Sequence, residues 1–306
     1  MAAMVKCPRT RASNYPTSST VTMHTSMRSA AVVSPNRSYV ISLAKRDHVV
    51  RTSNELRVRD LEDLFAGRII ALRVPNFCSP KVITQAMKRL KNHEIIDYAN
   101  AEGVGKFKNI GMAYFEAENG DQRAIYYQEK LKNLDSVRHV FHPYLSPIDK
   151  VRVMLDEQWP QGANLMNLGK GPMFAGLIRA IKKEILPHED KLERDDPDGF
   201  LKISYITQLA FNCYMSIPKK EGGALQLWDK TLNDEEYNAL RGNSYGIDRS
   251  KVGEPVITIR PQIGEFVTFN ARYLHAVEKL TKCGARISLS GFIMYQGTDK
   301  PLLLWS

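Results

Sequence analysis

Cysteine is scarce in this chain, long apolar runs are missing, and acid is absent from its first 46 residues. Only four cysteines occur (Cys7, Cys78, Cys213 and Cys283), and no two form a C-x-x-C pair. That argues against a zinc ribbon, a thioredoxin-type redox site or a disulfide scaffold, so a reducing, intracellular compartment is expected. No run approaches the roughly 18 to 20 apolar residues that a membrane-spanning helix needs, and no membrane association is expected. Residues 1–46 carry seven basic residues (Lys6, Arg9, Arg11, Arg28, Arg37, Lys45 and Arg46), and the first acid is Asp47. Residues 47–306 hold 36 basic and 33 acidic residues, so most of the formal charge of +10 belongs to the leading segment. A nearly balanced body offers nucleic acid no strong field, and no stable nucleic-acid partner is expected.

The leading segment, residues 1–46, is rich in Ser, Thr and Arg and poor in apolar periodicity. It is expected to be a disordered basic extension; an organellar transit peptide is the open alternative to a cytoplasmic location. It has no apolar run followed by a small-residue cleavage site, which argues against secretion. Residues 47–306 are expected to form a single domain, with a helical N-terminal part over 47–187. Ser79-Pro80 and Ser146-Pro147 each place a cap before a proline at the first helical position, and apolar residues then recur at helical spacing. Residues 173–186 (MFAGLIRAIKKEIL) are expected to be a third helix. From about 188 to 306 the texture changes to short β-branched and aromatic runs separated by Gly- and Pro-bearing turns: 203–217, ALQLW, VITIR, EFVTF, YLHAV and RISLSGFIMY. The fold expected is mainly β with flanking helices, an antiparallel sandwich or jelly roll.

His188-Glu189-Asp190 is the one place where a carboxylate follows a histidine by two residues. In extended chain, residues i and i+2 share a face, so imidazole and carboxylate can reach one ion together. His275, in a strand-like run, is the candidate second imidazole. Two histidines and a carboxylate on one face, with three positions left open, suit mononuclear non-haem Fe(II). Eleven residues further on, Arg286 and Ser288 again lie two apart. A guanidinium grips a carboxylate through two parallel hydrogen bonds and a hydroxyl can add a third, as the distal carboxylate of 2-oxoglutarate requires. His139 and His142 read as structural, for no Glu pattern of a helix-borne zinc site accompanies them. Gly103-Val-Gly105 and Gly169-Lys170-Gly171 lack the spacing of phosphate-binding loops. Asn212, Tyr214, Gln226 and Trp228 lie on expected strands as candidate pocket residues.

The ordered set H-x-D, GGALQLW, G-E-F-V-x-F-x-x-x-x-x-H and R-x-S resembles the Fe(II)/2-oxoglutarate-dependent oxygenases. Within them the chain is most similar to the carrier-independent cyanobacterial indole-alkaloid halogenases and their hydroxylating relatives. GRIIALRVPNF, EGGALQLW, IGEFVTFNARYLHAVEKL, ARISLSGF and the terminal Leu304-Trp305-Ser306 carry this likeness over roughly residues 60–306. It implies a double-stranded β-helix (jelly-roll) core, with Fe(II) on His188, Asp190 and His275. It also implies 2-oxoglutarate held by Arg286 and Ser288, with O2 as the second co-substrate. In the halogenases a small residue leaves room for chloride; here Asp190 stands at that position. That departure implies oxygenation, with hydroxylation of an unactivated C–H bond of a small natural-product or amino-acid-like molecule expected, releasing succinate and CO2. Desaturation, ring formation and halogenation stay open alternatives. A catalytically idle jelly-roll binding protein is the rival of another class, and it predicts that the three metal residues lie apart.

Overall fold

The computed structural model describes residues 49–91, 96–97, 108–196, 205–218, 222–280 and 285–306. The expected basic extension, Cys7, Cys283 and Gly103-Val-Gly105 lie outside the described residues. In chain order the strands are β1 (Val50–Thr52), β2 (Ala71–Val74), β3 (Ile96–Asp97), β4 (Lys108–Ile110), β5 (Ala163–Leu165), β6 (Leu177–Ile181) and β7 (Ile185–His188). They continue with β8 (Thr207–Ser216), β9 (Leu225–Leu227), β10 (Ile257–Ile259), β11 (Phe266–Asn270), β12 (His275–Val277), β13 (Arg286–Tyr295) and β14 (Leu302–Trp305). The helices are α1 (Val58–Phe65), α2 (Pro80–Lys91), α3 (Gly120–Phe141), α4 (Pro147–Gln158), α5 (Leu192–Asp195) and α6 (Asp234–Arg241). No helix among the described residues is long and apolar enough to cross a membrane.

The larger sheet runs β1-β2-β11-β8-β13-β6-β4-β3, with β14 beside β13 and β5 beside β14. The smaller runs β10-β9-β12-β7. All pairings are antiparallel except β1 with β2 and β14 with β5.

The two central strands of the larger sheet explain its layering. Along β8, Leu209, Phe211, Cys213 and Met215 join a core that includes Leu61, Ile83, Val140, Val151 and Leu155 from the helices. The alternate residues Ala210 and Tyr214 pack instead with Leu225, Leu227 and Ile259 of the smaller sheet. Along β13, Leu289 and Ile293 face the helical side, while Arg286, Ser288 and Ser290 line a cavity between the sheets. Period-2 alternation therefore separates a helix-facing side from a cavity-facing side. Both sides are covered, and the polar cavity face leaves β13 an alternation of polar and apolar residues, R-I-S-L-S.

The helices start where side chains satisfy their first N–H groups. Ser146 Oγ accepts from the Asp149 N–H at 3.2 Å, with Pro147 opening α4. Asn233 and Glu236 form a reciprocal capping box at α6. Arg138, near the end of α3, donates twice to Asp149 at 2.9 and 2.8 Å, tying α3 to the start of α4. In the larger sheet, Arg73 of β2 donates to Glu265 at 2.7 and 3.0 Å, and Gln262 N–H adds 2.8 Å. The turn Gly222-Gly223 needs its first glycine: φ is +100°, and a Cβ would stand 2.1 Å from Lys279 O.

One expectation fails here. Residues 173–186 are not a helix but hold β6 and the start of β7. Gly176, at φ +106°, turns the chain into β6. Leu177, Ile178, Ala180 and Ile181 are all buried, because β6 is a covered inner strand between β13 and β4. A short strand apolar on both faces has no period-2 signal and imitates a buried helix. The part expected to be helical also supplies β1, β2, β4 and β5 to the larger sheet, so the sheet does not begin at about residue 188.

Candidate metal centre

His188 closes β7, and His275 opens β12; the two are register partners across that antiparallel pair. Directly opposed residues bring their side chains to one face, and the ring centroids lie 4.2 Å apart. The chain then leaves β7 and is caught by the Asp190 N–H donating to Ala271 O at 2.9 Å. This swings the Asp190 carboxylate onto the same point. His188 Nε2 lies 3.7 Å from Asp190 Oδ1, and His275 Nε2 lies 3.2 Å from Asp190 Oδ2. The three ligand atoms are all within 4.8 Å of one another, and no other metal-competent cluster is found among the described residues.

The other ring nitrogens are engaged. His188 Nδ1 donates to Leu186 O at 2.8 Å, and His275 Nδ1 donates to Tyr273 O at 3.0 Å. Each bond assigns the proton to Nδ1 and leaves an Nε2 lone pair aimed inward. Burial, and next the neighbouring His275, lower the His188 imidazole to about 4. Burial alone would raise Asp190, but His188 and His275 outweigh it and hold the carboxyl at about 2. Two imidazole lone pairs and a carboxylate thus converge without a hydrogen to share between His188 and Asp190. A divalent cation fits that donor set.

Glu189, between the two ligands in sequence, points the other way. Its buried carboxylate accepts from Lys191 Nζ at 2.8 Å, Arg194 Nη2 at 2.9 Å and the Leu232 N–H at 2.6 Å.

The cavity beside the triad contains Arg286, only 2% exposed. Its Nη2 donates to Tyr214 Oη at 3.1 Å, while Nε and Nη1 are buried without a partner. A buried guanidinium with two idle donors is costly unless an anion meets them. Ser288, on the same face, donates to Asn212 Oδ1 at 3.1 Å. Both nitrogens fit a ligand carboxylate, and the Ser288 hydroxyl can turn its hydrogen from Asn212 to the same ligand.

Of the four candidate lining residues, Asn212 lines the cavity and Tyr214 supports Arg286. Gln226 instead accepts from Arg249, and the Trp228 indole donates to Gly253 O at 3.0 Å in a separate core. His139 meets Arg89 at 2.8 Å, away from the triad. Arg179, which lines the cavity, was hidden in the run expected to be helical. A lone cation inside the apolar LIRAI segment was the available signal.

A jelly-roll core with two histidines, one carboxylate and a buried guanidinium defines a class, the mononuclear iron oxygenases that use an oxo-acid. Residues 176–294 match the 2OG-Fe(II) oxygenase superfamily, a stretch that runs from β6 through β13 and includes the triad and Arg286. Over that stretch the chain is similar to the oxygenases of that superfamily. It is 24% identical over 252 residues to the L-gamma-glutamyl-L-propargylglycine hydroxylase of Streptantibioticus cattleyicolor, covering 81% of this chain and 92% of that one. Its fold is similar to that of an N-substituted L-amino acid dioxygenase from Burkholderia ambifaria. The TM-score is 0.57 at 17% identity, covering 81% of this chain and 91% of that one. The same dioxygenase in complex with alpha-KG gives 0.56 at 17% identity, covering 81% and 90%.

Proposed function

We propose that His188, Asp190 and His275 hold Fe(II), and that Arg286 with Ser288 holds the C5 carboxylate of 2-oxoglutarate. The enzyme then hydroxylates a C–H bond of a small amino-acid-like substrate. The observation that carries this reading is the convergence of the three ligand atoms within 4.8 Å, beside a guanidinium with two idle donors. With Fe(II) bound, 2-oxoglutarate and O2 supply an oxidative decarboxylation to succinate and CO2 that drives oxidation of the substrate.

The chain's own residues bind, orient and exclude. The Leu186 and Tyr273 carbonyls fix the two imidazoles, Arg286 and Tyr214 seat the co-substrate, and the apolar lining, including Leu225 and Phe269, limits water. A carboxylate at Asp190 supports oxygenation rather than halogenation, which needs that position for a halide. The substrate class is carried over from the hydroxylase and the dioxygenase, whose names specify amino-acid derivatives.

Anaerobic visible spectroscopy with Fe(II) and 2-oxoglutarate tests this. A weak charge-transfer band in the wild type that is lost in His275→Ala is expected. A folded wild-type protein with neither band nor Fe(II) retention would overturn the reading.

A further inference from the structure

Arg179, like Arg286, is an arginine of the cavity that holds no carboxylate. Arg51, Arg73, Arg123, Arg138, Arg194 and Arg249 each hold a carboxylate. Arg179 has no carboxylate partner among the described residues, and its Nε is buried with no hydrogen bond. It lies in β6 directly opposite Ser288 of β13 and Asn109 of β4, so all three side chains share the cavity face. Asn109 Oδ1 is likewise buried without a partner.

Arg179 lines the same cavity as His188 and Asp190. The guanidinium lies 5.4 Å from the centre of the Phe115 ring. Phe115 stands 6.3 Å from Tyr245, which stands 5.2 Å from His188. Arg179, Phe115, Tyr245 and His188 therefore form one row of neighbouring side chains, cationic at one end and imidazole at the other.

The charges of the cavity sharpen the point. This step rests on the function proposed above. With Fe(II) and the 2-oxoglutarate dianion in place, the metal, Asp190, Arg286 and co-substrate together are neutral. Arg179 is left as one uncompensated positive charge in a low-dielectric cavity, a state that favours one further anion. A planar guanidinium prefers a carboxylate, which it can grip through two parallel bonds.

We propose that Arg179 is the specificity-determining residue that takes the carboxylate of the substrate. The substrate is then an amino-acid derivative with a free carboxylate.

The test uses the full chain loaded anaerobically with Fe(II) and 2-oxoglutarate, and calorimetric binding of N-acyl and γ-glutamyl L-amino acids paired with their C-terminal amides. In the wild type, binding is expected for the acids, with each amide about ten-fold weaker or more, as loss of a charged hydrogen-bonded pair implies. Arg179→Gln brings the acid down to the amide's affinity and leaves the amide unchanged, so the double cycle isolates the pair. Arg179→Lys, which keeps the charge and loses the fork, falls between. The 2-oxoglutarate charge-transfer titration is the control and stays as in the wild type.

Equal binding of acid and amide overturns the proposal, as does failure of every acid in the panel to bind. Weakened 2-oxoglutarate with unweakened acid in Arg179→Gln also overturns it, making Arg179 a co-substrate ligand. A wild type without the band marks failure of the iron reading instead.

Discussion

His188 and His275 face each other in register across β7 and β12, and each ties its Nδ1 to the carbonyl two residues earlier in the chain. The same local device is thus used twice, from two strands running in opposite directions. It presents two Nε2 atoms to Asp190 without help from any other side chain. The imidazoles are oriented by backbone, so the orientation is as rigid as the sheet.

Replacing either histidine should therefore remove a ligand and little else. His188→Gln and His275→Gln are expected to lose about 100-fold or more in coupled succinate formation, in line with the sensitivity of metal sites to their ligands. Far-ultraviolet circular dichroism should stay native. Metal retained after desalting, compared with the wild type, is the direct check.

Arg286 should separate co-substrate binding from folding. Arg286→Gln keeps a donor near Tyr214 but withdraws the charge. The KM for 2-oxoglutarate is expected to rise about ten-fold or more, the loss of a charge-assisted pair of about 1.5–3 kcal/mol. Removing an uncompensated buried charge should leave thermal stability equal to or above the wild type. Initial rates against 2-oxoglutarate and a melting scan test the two halves.

Arg73 and Glu265 should behave in the opposite way. The Glu265 side chain is fully buried and its guanidinium partner is 23% exposed. Arg73→Ala leaves a buried carboxylate facing only the Gln262 N–H, a loss of about 3 kcal/mol. The double variant Arg73→Ala/Glu265→Gln is expected to recover part of it, measured by urea unfolding.

Asp149 gives a pH signature. Burial pushes its carboxyl up, but hydrogen bonds from Arg138 and Ser146 outweigh that and lower it below the usual range. A depressed carboxylate stabilises the fold above its unfolded value, near pH 4, and loses that contribution as the pH falls further. Asp149→Asn should therefore be less stable by about 1 kcal/mol at neutral pH, a modest figure because Arg138 is partly exposed. The gap should close below pH 4, as chemical denaturation at several pH values would show.

The pairs His188 with Asp190 and Arg286 with Ser288 could be picked out in the sequence because each is local and spaced by two. Extended chain converts that spacing into a shared face for Arg286 and Ser288 in β13, whereas Asp190 meets His188 just beyond the end of β7, held by its bond to Ala271 O. The strands after residue 203 were legible because turns punctuate them. β6 was not, since burial on both faces erased its alternation, and with it went Arg179, which on a helix would be an ordinary surface cation. α3 escaped for a different reason: three of its four buried residues, Val137, Val140 and Phe141, crowd toward its last turn, while Ile125 and Leu131 are exposed. Gln226 and Trp228 looked equivalent to Asn212 and Tyr214 by sequence. Only the pairing of sheets sends one pair to the cavity and the other elsewhere.

The buried Glu189 carboxylate, gripped by Lys191, Arg194 and the Leu232 N–H, acts as a phase lock on the segment around it. A single-residue insertion between His188 and Glu189 would turn Glu189 inward and Asp190 outward, exchanging a structural anchor for a ligand. Two cations would then lose their anion while the cavity gained a longer carboxylate. The segment can change its side chains one at a time, but its length is fixed by both faces at once.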